Sequence, residues 1–359
     1  MKNILLIVPR LNIGGAETYT AMVAENLQQR GYTVYTASGG GMLADKLSQK
    51  GIPNFWLPIR FSTSLSAFML KHIIKKYNIN LIHANSAAAG ITALKFKQRY
   101  KNIPVIFTSH GVLNNNHKEF ILNDCDKIIC VSKFLQNDCL QKGFNKNKLI
   151  TIYTGINKDK FNNQIDGSII RQQLNIPQDA FVLSLVARIK NLTNKGHLDM
   201  LNILKNHTEA NNWHLIVIGK GKSLHKLKSM IKDYQLEQQI HCVGHQLDVA
   251  KYVAASDVIV LPSYFETFGL ALAEGMAMGK PGITYNIGGC PEVVQNNKTG
   301  FVVDYKNEEA FFQKLLLLYK DKNLYNQMAT AAETDIKKRL SCDKMMDELE
   351  HLYNEYINK

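Results

Sequence analysis

Short apolar runs alternate along this chain with longer stretches in which apolar residues recur every three or four positions. The apolar runs cover residues 4–8, 81–84, 105–108, 128–131, 181–187, 213–218, 240–243 and 258–261. Such runs are typical of parallel strands covered on both faces, and the stretches between them are typical of the helices of βαβ units. The pattern predicts an α/β protein with helices at residues 18–30, 65–78, 91–101, 269–278, 307–320 and about 324–358.

The length of the chain predicts two domains. Its 359 residues exceed the roughly 250–300 residues at which a single core stops growing. A hydrophobic content of 45% is enough to fill two cores. The polar segment 157–168 is the expected linker, so we predict a first domain over residues 1–160 and a second from residue 161.

No targeting or membrane-spanning segment is recognisable in the sequence. The run ILLIV near the N-terminus is too short for a span or a signal, and the six cysteines are scattered without a CxxC pair. Scattered cysteines are typical of reduced thiols in the cytosol. We therefore expect a cytoplasmic protein.

The positive charge of the chain is confined to its first half. Residues 1–160 hold 21 Lys and Arg against 8 Asp and Glu, which accounts for the net charge of +13, whereas residues 161–359 hold 22 of each. This asymmetry indicates an anionic partner for the first half, such as a membrane surface, a phosphorylated acceptor or a nucleic acid. A solvated face that keeps the protein soluble is the alternative.

Two predicted helices of the first half are basic and amphipathic. Their bases cluster at the helix ends, namely Lys71, Lys75, Lys76, Lys95, Lys97, Arg99 and Lys101. Helices of this kind suit an anionic bilayer surface, so we expect peripheral contact with an anionic membrane through residues 65–101. Core-packed helices with a charged outer face fit the pattern equally well.

The densest chemical signal lies in residues 257–292. An apolar strand ends there in Ser263 and Glu266, and a helix begins near Gly269. The amides of Phe268, Gly269 and Leu270 would be available to a phosphate, because the first N–H groups of a helix lack internal partners.

Two carboxylates border this helix end. Glu266 precedes the helix and Glu274 follows eight positions later, so both can face one crevice. Beside a bound phosphate, these carboxylates would accept hydrogen bonds from hydroxyls of the same ligand. A ligand that carries both a phosphate and hydroxyl-rich rings is a nucleotide sugar. For Glu266 alone, a first-turn acid that complements the helix dipole is the alternative.

These motifs resemble glycosyltransferase family 4. The resemblance is carried by Glu266 and Glu274 within ETFGLALAEGMAMGKP, and by the Gly288-Gly289 turn that precedes Glu292. It implies the GT-B fold, an α/β architecture of two doubly wound Rossmann-like domains that face each other across a cleft. In such a protein the second domain, here 161–337, binds the nucleotide sugar, and a C-terminal helix, here about 338–359, packs back on the acceptor-side first domain.

The resemblance also assigns roles around the donor. Glu274 would bind the ribose hydroxyls, Glu266 would contact the donor sugar near the reacting centre, and the amides of residues 268–270 would hold the diphosphate. Arg188 and Lys195 would neutralise that diphosphate. The spacing from Arg188 to Lys195 is about two residues longer than the family leads us to expect, so Lys190 is a weaker candidate for the role of Lys195. The backbone at the strand end near Val243 would meet the base, and Gly219 is a further donor-binding residue.

In the first domain, strand 4–8 runs into a Gly14-Gly15 turn and a helix. By the resemblance, Gly15 closes over the donor diphosphate while Gly14 and Glu17 face the acceptor, although Glu17 also fits an ordinary first-turn acid. The third glycine of the dinucleotide fingerprint is missing. His110, at the end of strand 105–108, resembles the active-site histidine of the family.

Two motifs that suggest a metal site and a P-loop are rejected. Asp124-Cys125-Asp126 has the form of a metal–diphosphate clamp, but it precedes a buried strand in an otherwise GT-B chain, so we expect no metal and no cofactor. Gly221-Lys222-Ser223 lacks the first glycine of a P-loop because Ile216 occupies that position.

We therefore expect a metal-independent, retaining hexosyl- or N-acetylhexosaminyltransferase. The donor would be a nucleotide diphosphate sugar, with UDP the expected nucleotide, and the acceptor a hydroxyl of a glycan or lipid-linked molecule in cell-surface polysaccharide or lipopolysaccharide synthesis. Its location would be cytoplasmic, and peripheral attachment to the cytoplasmic face of the inner membrane is a further option. No nucleic acid is expected as a partner. A GT-B nucleotide-sugar epimerase and a non-catalytic polyanion-binding protein are the alternatives.

Overall fold

The computed structural model describes residues 2–12, 14–100, 103–114 and 117–358. The chain forms two compact units, one of residues 1–155 with 343–359 and the other of residues 156–342. The sequence-based boundaries were 160 and about 338. The segment 157–168, which we expected to be the linker, lies in the second unit.

The first unit is built on a parallel sheet. Its strands are β1 (Asn3–Ile7), β2 (Thr33–Ser38), β3 (Asn54–Trp56), β4 (Leu81–Ala84), β5 (Val105–Ser109), β6 (Lys127–Cys130) and β7 (Leu149–Thr151). They are ordered β3-β2-β1-β4-β5-β6-β7. Its helices are α1 (Gly15–Gln29), α2 (Met42–Gln49), α3 (Thr63–Lys76), α4 (Ala87–Tyr100), α5 (His117–Phe120) and α6 (Lys133–Gln141), with 3-10 turns at Ile121–Asp124 and Lys146–Lys148.

The second unit repeats this plan with a parallel sheet ordered β10-β9-β8-β11-β12-β13. The strands are β8 (Phe181–Val186), β9 (Trp213–Ile218), β10 (Ile240–Gly244), β11 (Val258–Leu261), β12 (Gly282–Tyr285) and β13 (Gly300–Val303). The helices are α7 (Ser168–Gln173), α8 (His197–Asn206), α9 (Leu224–Asp233), α10 (Val249–Ala254), α11 (Leu270–Ala277), α12 (Cys290–Val293), α13 (Glu308–Lys320) and α14 (Lys322–Arg339), with a 3-10 turn at Thr208–Ala210.

The apolar runs of the sequence form the centre of each sheet. All four residues of β4 and of β11 are buried, as the absence of polar alternation predicts. In the second unit Trp213 and Phe312 are fully covered and anchor the core between the sheet and α13. The prediction of two doubly wound α/β domains is confirmed.

Residues 324–357 are helical as predicted, except for a break at residues 340–341. The chain forms α14 and a separate helix, α15 (Cys342–Ile357), which packs in the first unit. Between them, the Ile156 N–H donates to the Leu340 carbonyl at 2.7 Å and the Cys342 N–H donates to the Ile156 carbonyl at 3.1 Å. These backbone bonds replace two bonds that a continuous helix would have made.

Both sheets change winding direction at a central strand pair, β1/β4 in the first unit and β8/β11 in the second. Ligands of doubly wound sheets bind outside the carboxyl ends of the strands at such a point. Binding groups are therefore expected in the loops that follow β1, β4, β8 and β11, and the loop after β5 lies one strand further along the first sheet. Among the helices that the structure describes, none is long and apolar enough to cross a bilayer.

Candidate active site

The loops after β8 and β11 carry most of the residues predicted to bind the donor. Arg188 follows β8 and is exposed, while Glu266 lies in the loop after β11. Because β8 and β11 are hydrogen-bonded neighbours, these two loops leave the same edge of the sheet side by side. Lys195 lies in the β8–α8 connection, immediately before the helix.

Lys195 and Glu266 form an ion pair. The Lys195 Nζ lies 2.5 Å from Glu266 Oε2 and also donates to the Phe265 carbonyl at 3.1 Å. The second carboxylate oxygen of Glu266 accepts the Thr267 N–H at 3.2 Å. Side-chain exposures of 28% and 19% leave both groups accessible to a ligand.

The glycine after Lys195 explains how that lysine reaches the β11 loop. Gly196 has a φ of 69° and caps α8 in the left-handed conformation. A Cβ there would lie 2.2 Å from the Pro262 carbonyl oxygen, so only glycine permits this approach. The Tyr264 N–H also donates to the Asn194 carbonyl at 3.0 Å, which ties the two loops together.

The Gly288-Gly289 turn supports Glu266 from the other side. A Cβ on Gly288 would lie 1.7 Å from the Glu266 carbonyl oxygen, and one on Gly289 would lie 2.3 Å from the Thr267 carbonyl oxygen. The Gly289 N–H donates to the Glu266 carbonyl at 3.3 Å. The glycine pair thus sets the backbone position of the residue that pairs with Lys195.

Helix α11 begins directly after this loop. Gly269 caps it with a φ of 98°, and the first helical bond runs from the Ala273 N–H to the Gly269 carbonyl at 3.2 Å. The residues predicted to offer their amides lie at this end, with Phe268 and Gly269 buried and Leu270 partly exposed. The positive end of the helix dipole therefore lies next to the Lys195–Glu266 pair in the chain.

Glu274 is the fifth residue of α11 and is partly buried. Burial raises the pKa of this carboxyl to about 7, and the charge of Lys160 opposes the rise. The side chain is thus close to half-protonated at neutral pH, so it can both donate and accept hydrogen bonds.

Gly219 and Val243 end neighbouring strands. The Gly219 N–H donates to the Gly244 carbonyl at 2.8 Å, and Gln246 Nε2 donates to the Val243 carbonyl at 2.6 Å. A Cβ on Gly219 would lie 1.9 Å from the Ala187 carbonyl oxygen. The structure thereby brings Gly219 against the loop that carries Arg188, on the same edge of the sheet as Lys195.

In the first unit, Gly14 and Gly15 form the start of α1. Gly14 is the cap, and its carbonyl accepts the Thr18 N–H at 2.8 Å. A Cβ on Gly15 would meet nothing within 4 Å, and Gly15 is exposed, so this helix end is open. Glu17 lies in the first turn and is partly buried.

His110 follows β5 and packs against α1. Its ring contacts Tyr19 edge to face, with centroids 4.7 Å apart. Burial lowers the pKa of His110 to about 4, so the imidazole is neutral at physiological pH. The structure therefore brings the predicted histidine to the helix that carries Gly14, Gly15 and Glu17.

Sequence reasoning missed the support behind His110. His83 on β4 is buried, with its Nδ1 2.6 Å from the Tyr353 hydroxyl and its Nε2 2.6 Å from Thr108 Oγ1. Burial, with a smaller contribution from His110, lowers the pKa of His83 to about 3. No local motif signals this cluster, because its members come from β4, β5 and the C-terminal helix.

Sequence reasoning also missed His197 and gave Ser263 no role. Neither ring nitrogen of His197 nor the Ser263 hydroxyl has a hydrogen-bond partner among the described residues. Burial, followed by the charge of Lys195, lowers the pKa of His197 to about 4. Their positions two residues from Lys195 and at the end of β11 are the sequence signal that could have found them.

The rejected Asp-Cys-Asp motif has structural partners. The Asp126 carboxylate accepts hydrogen bonds from Lys97 Nζ and, at 2.7 Å, from the Val105 N–H. Over the described part of the chain, no three His, Cys, Asp or Glu side chains are grouped as metal ligands would be.

Family models match both units. The model described as Glycosyl transferases group 1 matches residues 166–335, and the model described as Glycosyltransferase Family 4 matches residues 13–160. The two matches follow one another along the chain and leave residues 1–12, 161–165 and 336–359 unmatched.

Individual proteins resemble the chain over most of its length. N-acetyl-alpha-D-glucosaminyl L-malate synthase from Bacillus anthracis is 23% identical over 96% of this chain and 95% of its own. UDP-Gal:alpha-D-GlcNAc-diphosphoundecaprenol alpha-1,3-galactosyltransferase from Escherichia coli is 25% identical over 81% of this chain and 79% of its own. A solved glycosyltransferase from Rickettsia africae ESF-5 superposes with a TM-score of 0.88 at 26% identity, covering 100% of this chain and 99% of that one. The GT-B fold class is confirmed.

Proposed function

This chain belongs to glycosyltransferase family 4, and on that premise we propose that it is a retaining transferase which moves a sugar from a UDP-sugar to an acceptor hydroxyl. The sugar would be a hexosyl or N-acetylhexosaminyl group. The acceptor would be a glycan or a lipid-linked molecule in cell-surface polysaccharide or lipopolysaccharide synthesis.

The observation that carries the proposal is the Lys195–Glu266 pair at 2.5 Å, immediately before the N-terminus of α11. A cation and the positive end of a helix dipole suit a diphosphate, and a carboxylate suits the hydroxyls of a sugar. A ligand that satisfies both carries a phosphate and a polyhydroxylated ring. Ser263 and His197 are buried and have no hydrogen-bond partner among the described residues, so they are further candidates to bind such a ligand.

The reaction breaks the bond between the anomeric carbon and the β-phosphate oxygen, and the bonding electrons leave with UDP. Lys195, Arg188 and the helix amides would stabilise the charge that develops on that oxygen. The acceptor oxygen bonds to the same face of the anomeric carbon, and its proton passes to the departing phosphate oxygen. Because these cations carry out the neutralisation, we propose that no divalent metal is needed.

Uridine is proposed because the name of the Escherichia coli relative specifies UDP-Gal. Within the site, Glu274 on α11 would accept hydrogen bonds from the ribose hydroxyls, and the base would lie at the strand end near Val243.

The acceptor side is assigned to the first unit. Gly14 and Glu17 lie at the open start of α1, and the neutral His110 contacts the same helix through Tyr19. A neutral imidazole can donate or accept a hydrogen bond from an acceptor hydroxyl without adding charge. The name of the Escherichia coli relative specifies a diphosphoundecaprenol acceptor, which supports a lipid-linked acceptor here.

A UDP-release assay tests the proposal. UDP-sugars are first ranked by the thermal stabilisation they produce, and release of UDP is then measured with and without glycan and lipid-linked acceptors, in buffer and in EDTA. We expect acceptor-dependent release that EDTA leaves unchanged and that Glu266→Gln reduces by about a hundredfold or more.

Other outcomes would redirect the assignment. Conversion of the UDP-sugar to its epimer without acceptor would establish an epimerase instead. No stabilisation by any UDP-sugar, together with retained binding of RNA, would favour the polyanion-binding alternative. If EDTA abolished activity and added metal restored it, the proposed metal independence would be refuted, but the proposed sugar transfer would not.

A further inference from the structure

We propose that the first unit docks on an anionic lipid bilayer through a face formed by the edge strand β3, the loop that follows it and the outer side of α3. This docking face is defined by Trp56, Phe61, Leu65 and Phe68 together with Lys71 and Lys75. The inference goes beyond sugar transfer, and it moves the expected membrane contact from residues 65–101 to residues 54–75.

The first observation is the exposure of large apolar side chains. Trp56 is 59% exposed, Phe61 84%, Leu65 51% and Phe68 61%. Single exposed apolar residues are ordinary, but four within thirteen positions form a patch of the kind that marks an interaction surface. Leu65 and Phe68 are three positions apart at the start of α3 and so lie on one side of it, and Phe61 precedes the helix cap Ser62.

The second observation is a groove of about 740 Å³ that joins the strand to the helix. Trp56 and Phe68 line it together with Lys71 and Lys75. Apolar and cationic side chains thus share one surface, and β3 is the edge strand of its sheet. An indole beside lysines is the combination that suits the interface between lipid headgroups and acyl chains.

The third observation identifies the charge of the occupant. Residues 46–118 contain nine lysines and two arginines but no aspartate or glutamate. Both β3 and α3, and also α4, which packs on α3, lie wholly inside this acid-free segment. A segment of this length whose charged side chains are all positive is complementary to anionic headgroups.

The contacts of the other predicted bases explain why the face is centred on α3. On α4, Lys97 pairs with Asp126, and Lys95 donates to the Thr63 and Ser64 hydroxyls at 2.8 and 2.9 Å. These lysines serve packing between elements. Lys101 lies outside the described residues.

The two tryptophans of the chain provide a direct measurement. Trp56 lies on the docking face, whereas Trp213 is fully buried in the second unit. We expect the emission of the protein to shift to the blue with phosphatidylglycerol-containing vesicles and to be quenched by brominated acyl chains. Trp56→Phe should abolish the shift while co-sedimentation with the vesicles persists.

Matched variants test the two components of the face. Phe61→Ser with Phe68→Ser, and separately Lys71→Glu with Lys75→Glu, should each reduce partitioning onto anionic vesicles by about tenfold or more. The controls make the same changes on the second unit, at the exposed residues Ile169 and Leu317 and at Lys226 and Lys232. These controls should partition like the wild type, and UDP binding should be unchanged in all four variants.

Three results would overturn the docking face. They are equal sedimentation of the wild type with neutral and anionic vesicles, sedimentation without a change in Trp56 emission, and wild-type partitioning of both patch variants. A dimer that Phe61→Ser with Phe68→Ser dissociates, without vesicle binding, would instead assign the face to a second copy of the chain. Because UDP binding is measured separately, failure of docking is distinguishable from failure of the proposed function.

Discussion

At the scale of single residues, Glu274 combines a proposed binding role with a cost to the fold. Burial raises its pKa from 4.5 to about 7. Between pH 4.5 and about pH 7, the folded state therefore binds the Glu274 proton more tightly than the unfolded state does. The resulting contribution to stability is complete below about pH 4.5 and is lost as the pH rises through 7.

Glu274→Gln should remove this pH dependence. At pH 8 the variant should exceed the wild type in free energy of unfolding by up to about 3 kcal/mol, and at pH 4.5 the two should be similar. Urea unfolding of both proteins across pH 4.5–8 measures the difference. A constant difference over this range would show that the carboxyl does not titrate as its burial indicates.

Lys195 and Lys190 offer a comparison of two cations from the same connection. Lys195 pairs with Glu266, whereas Lys190 is exposed and its backbone carbonyl accepts a hydrogen bond from the Ser223 hydroxyl. Lys195→Ala should lower kcat for sugar transfer by about a hundredfold, because a charge opposite the leaving diphosphate is removed. Steady-state kinetics of both alanine variants measure this, and a larger loss for Lys190→Ala would reassign the role to that residue.

Residue-level motifs predicted which residues lie at the strand and helix ends, but not the residues that support them. Lys195, Glu266 and Gly269 stand at strand and helix ends, where the sequence alone indicates free amides and accessible side chains. The contact of Gly196 with Pro262 and of Tyr19 with His110 joins residues that are far apart in the chain. No local spacing encodes such contacts, so the supports became visible only in the fold.

At the scale of elements, the short turn between β12 and α12 controls the position of the β11 loop. Gly288 has a φ of 54° and lies against the Glu266 carbonyl, so a side chain would both strain the turn and push Glu266 away. The glycine pair was predicted as a turn, but its partner was not.

Gly288→Ala should therefore impair activity and stability together. We expect a loss of about 2–4 kcal/mol in the free energy of unfolding and a decrease in kcat. Gly31→Ala is the control, because Gly31 also has a positive φ but has open space around its Cβ position. That control should lose about 1–2 kcal/mol from backbone strain alone and keep its kcat. Chemical denaturation and UDP-release rates distinguish the two, and equal effects would refute the supporting role of the turn.

The C-terminal helix is the element whose boundaries were predicted least well. Periodicity continues through residues 324–358, yet the helix breaks at Leu340-Ser341. Ser341 followed by Asp343 is a helix-start signal, which a continuous apolar pattern obscured. The tertiary bonds to Ile156 decide the break, and sequence periodicity cannot register them.

Tyr353 on α15 should contribute strongly to the first unit. Its hydroxyl is the partner of His83 Nδ1 at 2.6 Å in a fully buried position. Tyr353→Phe leaves that nitrogen unsatisfied and should cost about 1–3 kcal/mol of unfolding free energy. Tyr356→Phe, which removes a bond to the less buried Asp126 carbonyl, is the control and should cost less. Urea unfolding followed by circular dichroism measures both, and a smaller cost for Tyr353→Phe would contradict the proposed role of the pair.

At the scale of the whole molecule, the duplicated plan divides the chemistry. Each unit presents a helix N-terminus at the switch point of its own sheet, but their surroundings differ. The end of α11 lies beside the Lys195–Glu266 pair and within a charge-balanced half of the chain. The end of α1 is an open glycine turn beside a neutral histidine, in the basic half. The charge asymmetry between the two halves is visible in the sequence, whereas the strand order of each sheet became known only from the fold.

Hydrogen exchange with UDP should reveal the division directly. UDP is expected to slow exchange of the amides at residues 268–272 and at the start of α8, because a bound diphosphate would accept hydrogen bonds there and hold both helix ends. Glu274→Gln should weaken this protection at subsaturating UDP, while the amides of the β4–β6 strands serve as an internal reference that UDP leaves unchanged. Protection confined to the start of α1 would move the nucleotide to the first unit and contradict the assignment of the donor to α11. Protection at both helix ends would mean that Gly15 also contacts the diphosphate, as the family resemblance implies.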